Sequence, residues 1–169
     1  MEIKYSPIGY INSEHKIAEK TPIQPVFAKD CKGTLEILPE YIEGLSDLDG
    51  FSHIIIIFHF HKTKNISLSV KPFLENVKHG IFATRAPCRP NPIGISIVRL
   101  IEIKSNILFL NDIDILSGTP VLDIKPYINR FDKKETIRNG WQNKIDEATA
   151  FRLGKRKYSE RNNKCKNTT

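Results

Sequence analysis

The chain has 169 residues, 26 Lys and Arg against 19 Asp and Glu, a formal net charge of +7, and 40% hydrophobic residues. Such a length and hydrophobic share predict one compact domain with an ordinary core and exclude a wholly disordered chain. The longest unbroken apolar run, Ile54–Phe58, is five residues, far short of the roughly 20 that cross a bilayer, and the charged, proline-containing MEIKYSPIGY start lacks the apolar stretch of an export signal, so a cytoplasmic protein with no membrane association is expected.

In chain order, Ile3–Ile11 contains one strand-like stretch and Gly33–Leu38 a second. Ser52–Phe60, SHIIIIFHF, is rich in β-branched and aromatic residues, as a strand buried on both faces would be. Further strands are predicted at Ile81–Thr84, Ile93–Ile103, Ile107–Asn111 and Val121–Ile124. Parallel crossovers need about a dozen or more residues each, so strands this close in sequence predict an antiparallel or mixed sheet closing into a barrel. The loops Asn12–Pro25, Pro39–Gly50 and Thr63–Gly80 interrupt it, the second with at most a short helical piece. After Tyr127 the apolar positions thin out, and Ile145, Ala148, Phe151 and Arg152 suit one short helix leading into a polar tail.

The charge is not evenly spread. Residues 1–124 hold 13 Lys and Arg against 14 Asp and Glu, whereas 125–169 hold 13 against 5. The tail residues Arg152, Lys155, Arg156, Lys157, Arg161, Lys164 and Lys166 face only Glu160, which suits either contact with a polyanion or a solvated tail. The expected organisation is a mainly β barrel over residues 1–129 with long loops, and a basic, partly helical extension over 130–169. Cys31, Cys88 and Cys165 are odd in number and contain no CxxC pair, which argues against both a disulfide framework and a structural zinc site.

Three segments can carry chemistry. In Arg85–Gly94, RAPCRPNPIG, the rings of Pro87, Pro90 and Pro92 stiffen the loop. It can present the Arg85 and Arg89 guanidinium forks to a carboxylate or phosphate, or serve as a rigid connector with two solvent-facing arginines. In Leu116–Tyr127, LSGTPVLDIKPY, a tight turn exposes backbone amides and carbonyls, and alternation in the following strand puts Asp123, Lys125 and Tyr127 on one face. They read as proton-transfer or orienting groups, or equally as an edge salt bridge with a packed tyrosine. Third, His53, His59 and His61 alternate along one strand, but no carboxylate sits nearby at ligand spacing and His79 is the remaining distant partner, so no metal is expected. No GxGxxG follows a strand and no GxxxxGK[ST] occurs, which removes the Rossmann and Walker nucleotide sites.

In order and wording, SPIGYINS, LDGFSHIIIIFHFHKT, GIFATRAPCRPNPIGIS and DILSGTPVLDIKPYI resemble the TrmO (TsaA-like) family over roughly residues 4–129. The resemblance implies a single-sheet β-barrel methyltransferase, a homodimer with S-adenosyl-L-methionine near the subunit interface, and methylation of the exocyclic amine of threonylcarbamoyladenosine at tRNA position 37. By matching motifs it assigns the cofactor to Gln24, Pro25, Val26 and Phe27, to His61 and Lys62, to Arg85, and to the turn Leu116, Ser117, Gly118 and Thr119. Ser117 stands where many relatives place an aspartate. Asp123, Tyr127 and Lys125 become the catalytic candidates; Arg89, Asn91 and the tail residues Arg152, Lys155, Arg156 and Lys157 become those for tRNA. A non-catalytic RNA-binding barrel and a His-based metal-dependent barrel enzyme are the alternative readings.

Overall fold

The structure is a computed structural model, and it describes residues 2–156. Its strands are β1 (Gly9–Ser13), β2 (Lys32–Ile37), β3 (His53–His59), β4 (Ser69–Val70), β5 (His79–Gly80), β6 (Ile93–Lys104), β7 (Ile107–Asn111) and β8 (Pro120–Pro126). Six of them close an antiparallel barrel in the order β1-β2-β7-β6-β3-β8, while β4 and β5 form a small separate ladder. Closure comes where β8 pairs with both β1 (Gly9↔Val121) and β3 (Ile56↔Ile124). No helix among the described residues is long and apolar enough to cross a membrane.

Period-2 alternation fills the barrel. Along β3, Ile54, Ile56 and Phe58 point inward at 0, 0 and 6% exposure, against Val98 and Leu100 of β6 and Leu35 and Ile37 of β2. The outer face of β3 is only half-buried, so the expectation of a strand buried on both faces is corrected. Opposite its Ile55 and Ile57 stand Ile97 and Ile95, and with Ile93 these outer isoleucines of β6 are 42, 49 and 40% exposed.

A one-residue irregularity in β8 matters for the site. Ile57 pairs with Asp123 but Phe58 pairs with Val121, which leaves Leu122 as a bulge. Val121 and Ile124 therefore both serve the core, and Asp123 and Lys125 are set opposite the outward Ile57 and Ile55.

Two predicted elements differ. Of the Ile3–Ile11 stretch only Gly9–Ile11 lies in β1, with Ile8 donating to the Val121 carbonyl at 2.8 Å; residues 3–7 precede the ladder, Pro7 lacking the donor it needs. Ile81–Ala83 is a 3₁₀ turn, not a strand: Ile81 is the buried anchor, and both the Thr84 amide (3.1 Å) and its hydroxyl (3.0 Å) donate back to the Ile81 carbonyl. Beyond the barrel come α1 (Asn129–Asp132) and α2 (Glu147–Gly154), the latter capped by Asp146, whose carboxylate accepts from the Thr149 amide at 2.8 Å.

Candidate functional site

Gln24 and Arg85, 61 residues apart, meet: Arg85 Nη1 donates to Gln24 Oε1, and Gln24 Nε2 donates to the Ile23 carbonyl at 2.7 Å. Gln24 leads into a 3₁₀ turn, Pro25–Phe27, with Pro25 at its first position, where the missing amide costs nothing. Val26 at its tip is 69% exposed. Pro25 and Val26 also wall a cleft of about 360 Å³ shared with His53, Ile97, Arg99 and Asp112 on the barrel. A second cleft, about 470 Å³ beside Glu14, Lys32 and Phe109, contains none of the expected cofactor residues.

Asp114 joins this cluster and was not anticipated from the sequence. It lies between the fully buried Ile113 and Ile115, and its carboxylate accepts from Ser96 Oγ of β6 at 2.6 Å. Desolvation raises its pKa to about 7, opposed by the Ser96 hydrogen bond and by the positive charge of nearby Arg85. The signal available was the DIDI alternation, which sets Asp112 and Asp114 opposite the core isoleucines; the partner Ser96 comes from barrel closure and has no local signature.

The turn after it behaves differently from expectation. Gly118 sits at φ 80°, the left-handed region that glycine enters freely. Its amide donates to the Ile11 carbonyl at 2.7 Å, that of Ser117 to His15 at 2.8 Å, and that of Thr119 to Leu116 at 3.2 Å. The expected exposed amides are thus committed, those of Ser117 and Gly118 to β1 and its loop and that of Thr119 within the turn. Ser117 Oγ accepts from Lys16 Nζ at 2.7 Å and donates to Asn12 Oδ1 at 3.3 Å, tying the position that departs from the family pattern to the same segment.

In β8, Asp123 pairs with Lys125 at 2.8 Å and accepts the Ile124 amide at 2.9 Å. Tyr127 packs edge-on to His53 with centroids 6.4 Å apart. That is the arrangement of a surface salt bridge with a packed tyrosine. His61 does not continue the strand: its amide donates to the His59 carbonyl at 2.8 Å, a tight turn that ends the alternation, so its face is not that of His53 and His59. Burial, then the charge of the exposed Lys62, then that of His59, hold the His61 pKa below its ordinary value. Among the described residues no group of three or more His, Cys, Asp or Glu could hold a metal ion.

Arg89, expected to face a ligand, turns back on its own loop. Its Nη1 donates to the Thr84 carbonyl at 2.8 Å and the Ile81 carbonyl at 3.3 Å, and its guanidinium lies 5.9 Å from the Phe82 ring centroid. Arg85 stays exposed, so of the two arginines it is the one presented to solvent. Asn91 is also exposed and hydrogen-bonds through its carbonyl to the Ile93 amide at 2.7 Å. Of the tail candidates, Arg152 is exposed, Lys155 lies 3.8 Å over the Phe151 ring, and Arg156 is turned inward, donating to the Ala18 carbonyl at 2.8 Å. Lys157 lies outside the described residues, as do Arg161, Lys164 and Lys166.

Residues 10–133 match the tRNA-methyltransferase O N-terminal domain. A Pyrococcus abyssi protein named "Probable S-adenosyl-L-methionine-binding protein" is 57% identical over 142 residues, 84% of this chain and 77% of its own length. The human tRNA (adenine(37)-N6)-methyltransferase is 38% identical over 140 residues, 78% of this chain but 31% of its own. A crystal structure of TrmO from Pseudomonas aeruginosa superposes with a TM-score of 0.72 at 42% identity, covering 87% of this chain and 64% of that one. The barrel, its motifs and these likenesses agree: the chain belongs to the TrmO family, of which it carries the N-terminal domain.

Proposed function

We propose that this chain is an S-adenosyl-L-methionine-dependent tRNA methyltransferase that modifies the exocyclic amine of threonylcarbamoyladenosine at position 37, in the cytoplasm. The observation that carries the reading is the convergence of Gln24, exposed Arg85 and half-buried Asp114 from three separate segments of a family-matched barrel. A guanidinium beside an acid complements a zwitterion such as the amino-acid end of the cofactor, so the residues present fit that group. When bound, S-adenosyl-L-methionine supplies the methyl group.

The work left to the protein is alignment and proton handling. Arg85, with one nitrogen held by Gln24, is pre-oriented to grip a carboxylate with the others. The acceptor amine is conjugated to a carbonyl and weakly nucleophilic, so a proton acceptor helps. Asp123, Lys125 and Tyr127 are the residues the motif offers; Asp114, titrating at about 7, adds a carboxylate suited to neutral pH. His61, Lys62 and the Leu116–Thr119 turn complete the cofactor side in this reading, and Arg152 and Lys155 the tRNA side.

The enzyme is a homodimer in this proposal. Support comes from the outer isoleucines of β3 and β6, an exposed apolar stripe that a second copy would cover. Ile97 belongs both to that stripe and to the cleft under Val26, which brings the cofactor segment next to the subunit contact.

Incubation of the protein and S-adenosyl-L-methionine with tRNA that carries threonylcarbamoyladenosine, followed by nucleoside mass spectrometry, tests the function. The expected product is that nucleoside one methyl group heavier, absent when unmodified tRNA is supplied. A protein that leaves the modified tRNA unchanged refutes the substrate, and methylation of another nucleoside reassigns it.

A further inference from the structure

The segment Ala18–Phe27 lies outside the barrel ladder. Its own hydrogen bonds are short-range turns, among them Thr21 N to Ala18 O at 3.3 Å and Phe27 N to Gln24 O at 3.0 Å. Besides Arg85 and the flank of β6, it is held by the last turn of α2, which lies beyond the residues matched to the family domain.

Four contacts make that junction. The Ile23 amide donates to the Gly154 carbonyl at 3.0 Å, one residue before Gln24. Gly154 is buried flat against the Phe27 ring: a Cβ there would lie 2.5 to 2.7 Å from three ring carbons, far inside van der Waals contact. Phe27 in turn meets Phe151, one turn back along α2, edge to face with centroids 6.2 Å apart. The chain then turns at Arg156, with φ 55°, and its guanidinium reaches the Ala18 carbonyl at 2.8 Å while covering the Phe73 ring at 4.1 Å. Partial burial holds the Arg156 pKa below its ordinary value, as befits a cation packed into a joint.

We propose that Gly154 is a positioning residue for the cofactor: the end of α2 clasps Ile23–Phe27 and thereby sets where Gln24 meets Arg85. The inference rests on the reading of Gln24–Phe27 as the cofactor segment. It gives the extension a second task beside tRNA contact, because a helix outside the shared domain completes the cofactor side. A side chain at 154 must push Phe27 away and carry Gln24 out of its position beside Arg85, so the displacement is read as weaker cofactor binding.

Calorimetric titration of S-adenosyl-L-methionine into the full chain tests this, with Gly154→Ala and, as a variant that adds no bulk, Phe151→Ala. The expected result is a Kd and a KM for S-adenosyl-L-methionine raised about 10-fold in Gly154→Ala and less in Phe151→Ala, with kcat at saturating cofactor and tRNA affinity unchanged. The melting temperature of the ligand-free protein should fall by several degrees at most, leaving the protein folded at the temperature of the titration. Wild-type binding with unchanged affinity in both variants overturns the clasp, as does a loss of affinity that only tracks a loss of melting temperature. A wild-type protein that does not bind S-adenosyl-L-methionine overturns the cofactor reading itself, and the clasp with it.

Discussion

Asp114 is the residue whose chemistry depends most on the fold. An unfolded aspartate titrates near 3.9, whereas here desolvation between two core isoleucines raises the value to about 7. Between those values the folded chain keeps a proton the unfolded chain has lost, so this group's contribution to stability falls as pH rises from about 4 to about 7 and is flat above. Asn mimics the protonated acid and still accepts from Ser96. The advantage of Asp114→Asn over wild type should therefore grow by at least about 1 kcal/mol between pH 5 and pH 8, read from urea denaturation at both values; an equal difference at both pH values would mean that this acid does not titrate across that range. Motif wording singles out Gln24 and Arg85, which the fold brings together, but not Asp114, because its partner lies on another strand. It also misjudged the Ser117 and Gly118 amides, since their acceptors, His15 and Ile11, are about a hundred positions away.

At the scale of elements, strand existence was legible wherever apolar residues alternate or run: β7 is predicted to the residue, and β6 differs by one residue at its end. Ile81–Ala83 was not, because three apolar residues are too few to show a period and the turn is decided by the Thr84 hydroxyl and the Arg89 brace. Nor does an Ile-rich run say which face is covered. β3 and β6 bury one face in the barrel and leave the other apolar and half open, a combination that a lone soluble sheet rarely keeps. Ile95 stands 49% exposed at the middle of that outer face, so a charge there is compatible with the barrel but not with a covering partner. Because a two-fold contact repeats the substitution, Ile95→Glu should raise the dimer Kd at least ~100-fold. Light scattering after size exclusion should then give a dimer mass for wild type and a monomer mass for the variant, with unchanged circular dichroism. A monomeric wild type, or a variant that stays dimeric, removes this face as the subunit contact.

For the whole molecule, the net charge of +7 divides between a nearly neutral barrel and a basic extension, and the structure divides the extension again. Its first part is anchored: Trp141 Nε1 donates to the Ala83 carbonyl at 2.9 Å and its ring stacks on His79, and Gly154 and Arg156 lock onto the 18–27 segment. Removing everything from Arg152 onward would thus mix two effects, loss of phosphate contacts and loss of the clasp. A cut after Arg156 separates them. It removes Lys157, Arg161, Lys164 and Lys166 against Glu160, and leaves in place the contacts of α2 among the described residues. If those four cations meet phosphates, the slope of log K against log salt for tRNA should become shallower by up to about 3.6, since each neutralised phosphate contributes roughly 0.7 to 0.9. S-adenosyl-L-methionine affinity should not change. Filter binding across a salt series gives the first quantity and calorimetry the second. An unaltered slope would assign the terminal basic residues to solubility and leave Arg152, Lys155 and the exposed Arg85 loop as the surface that meets tRNA; a weakened cofactor affinity would mean that the clasp extends past Arg156.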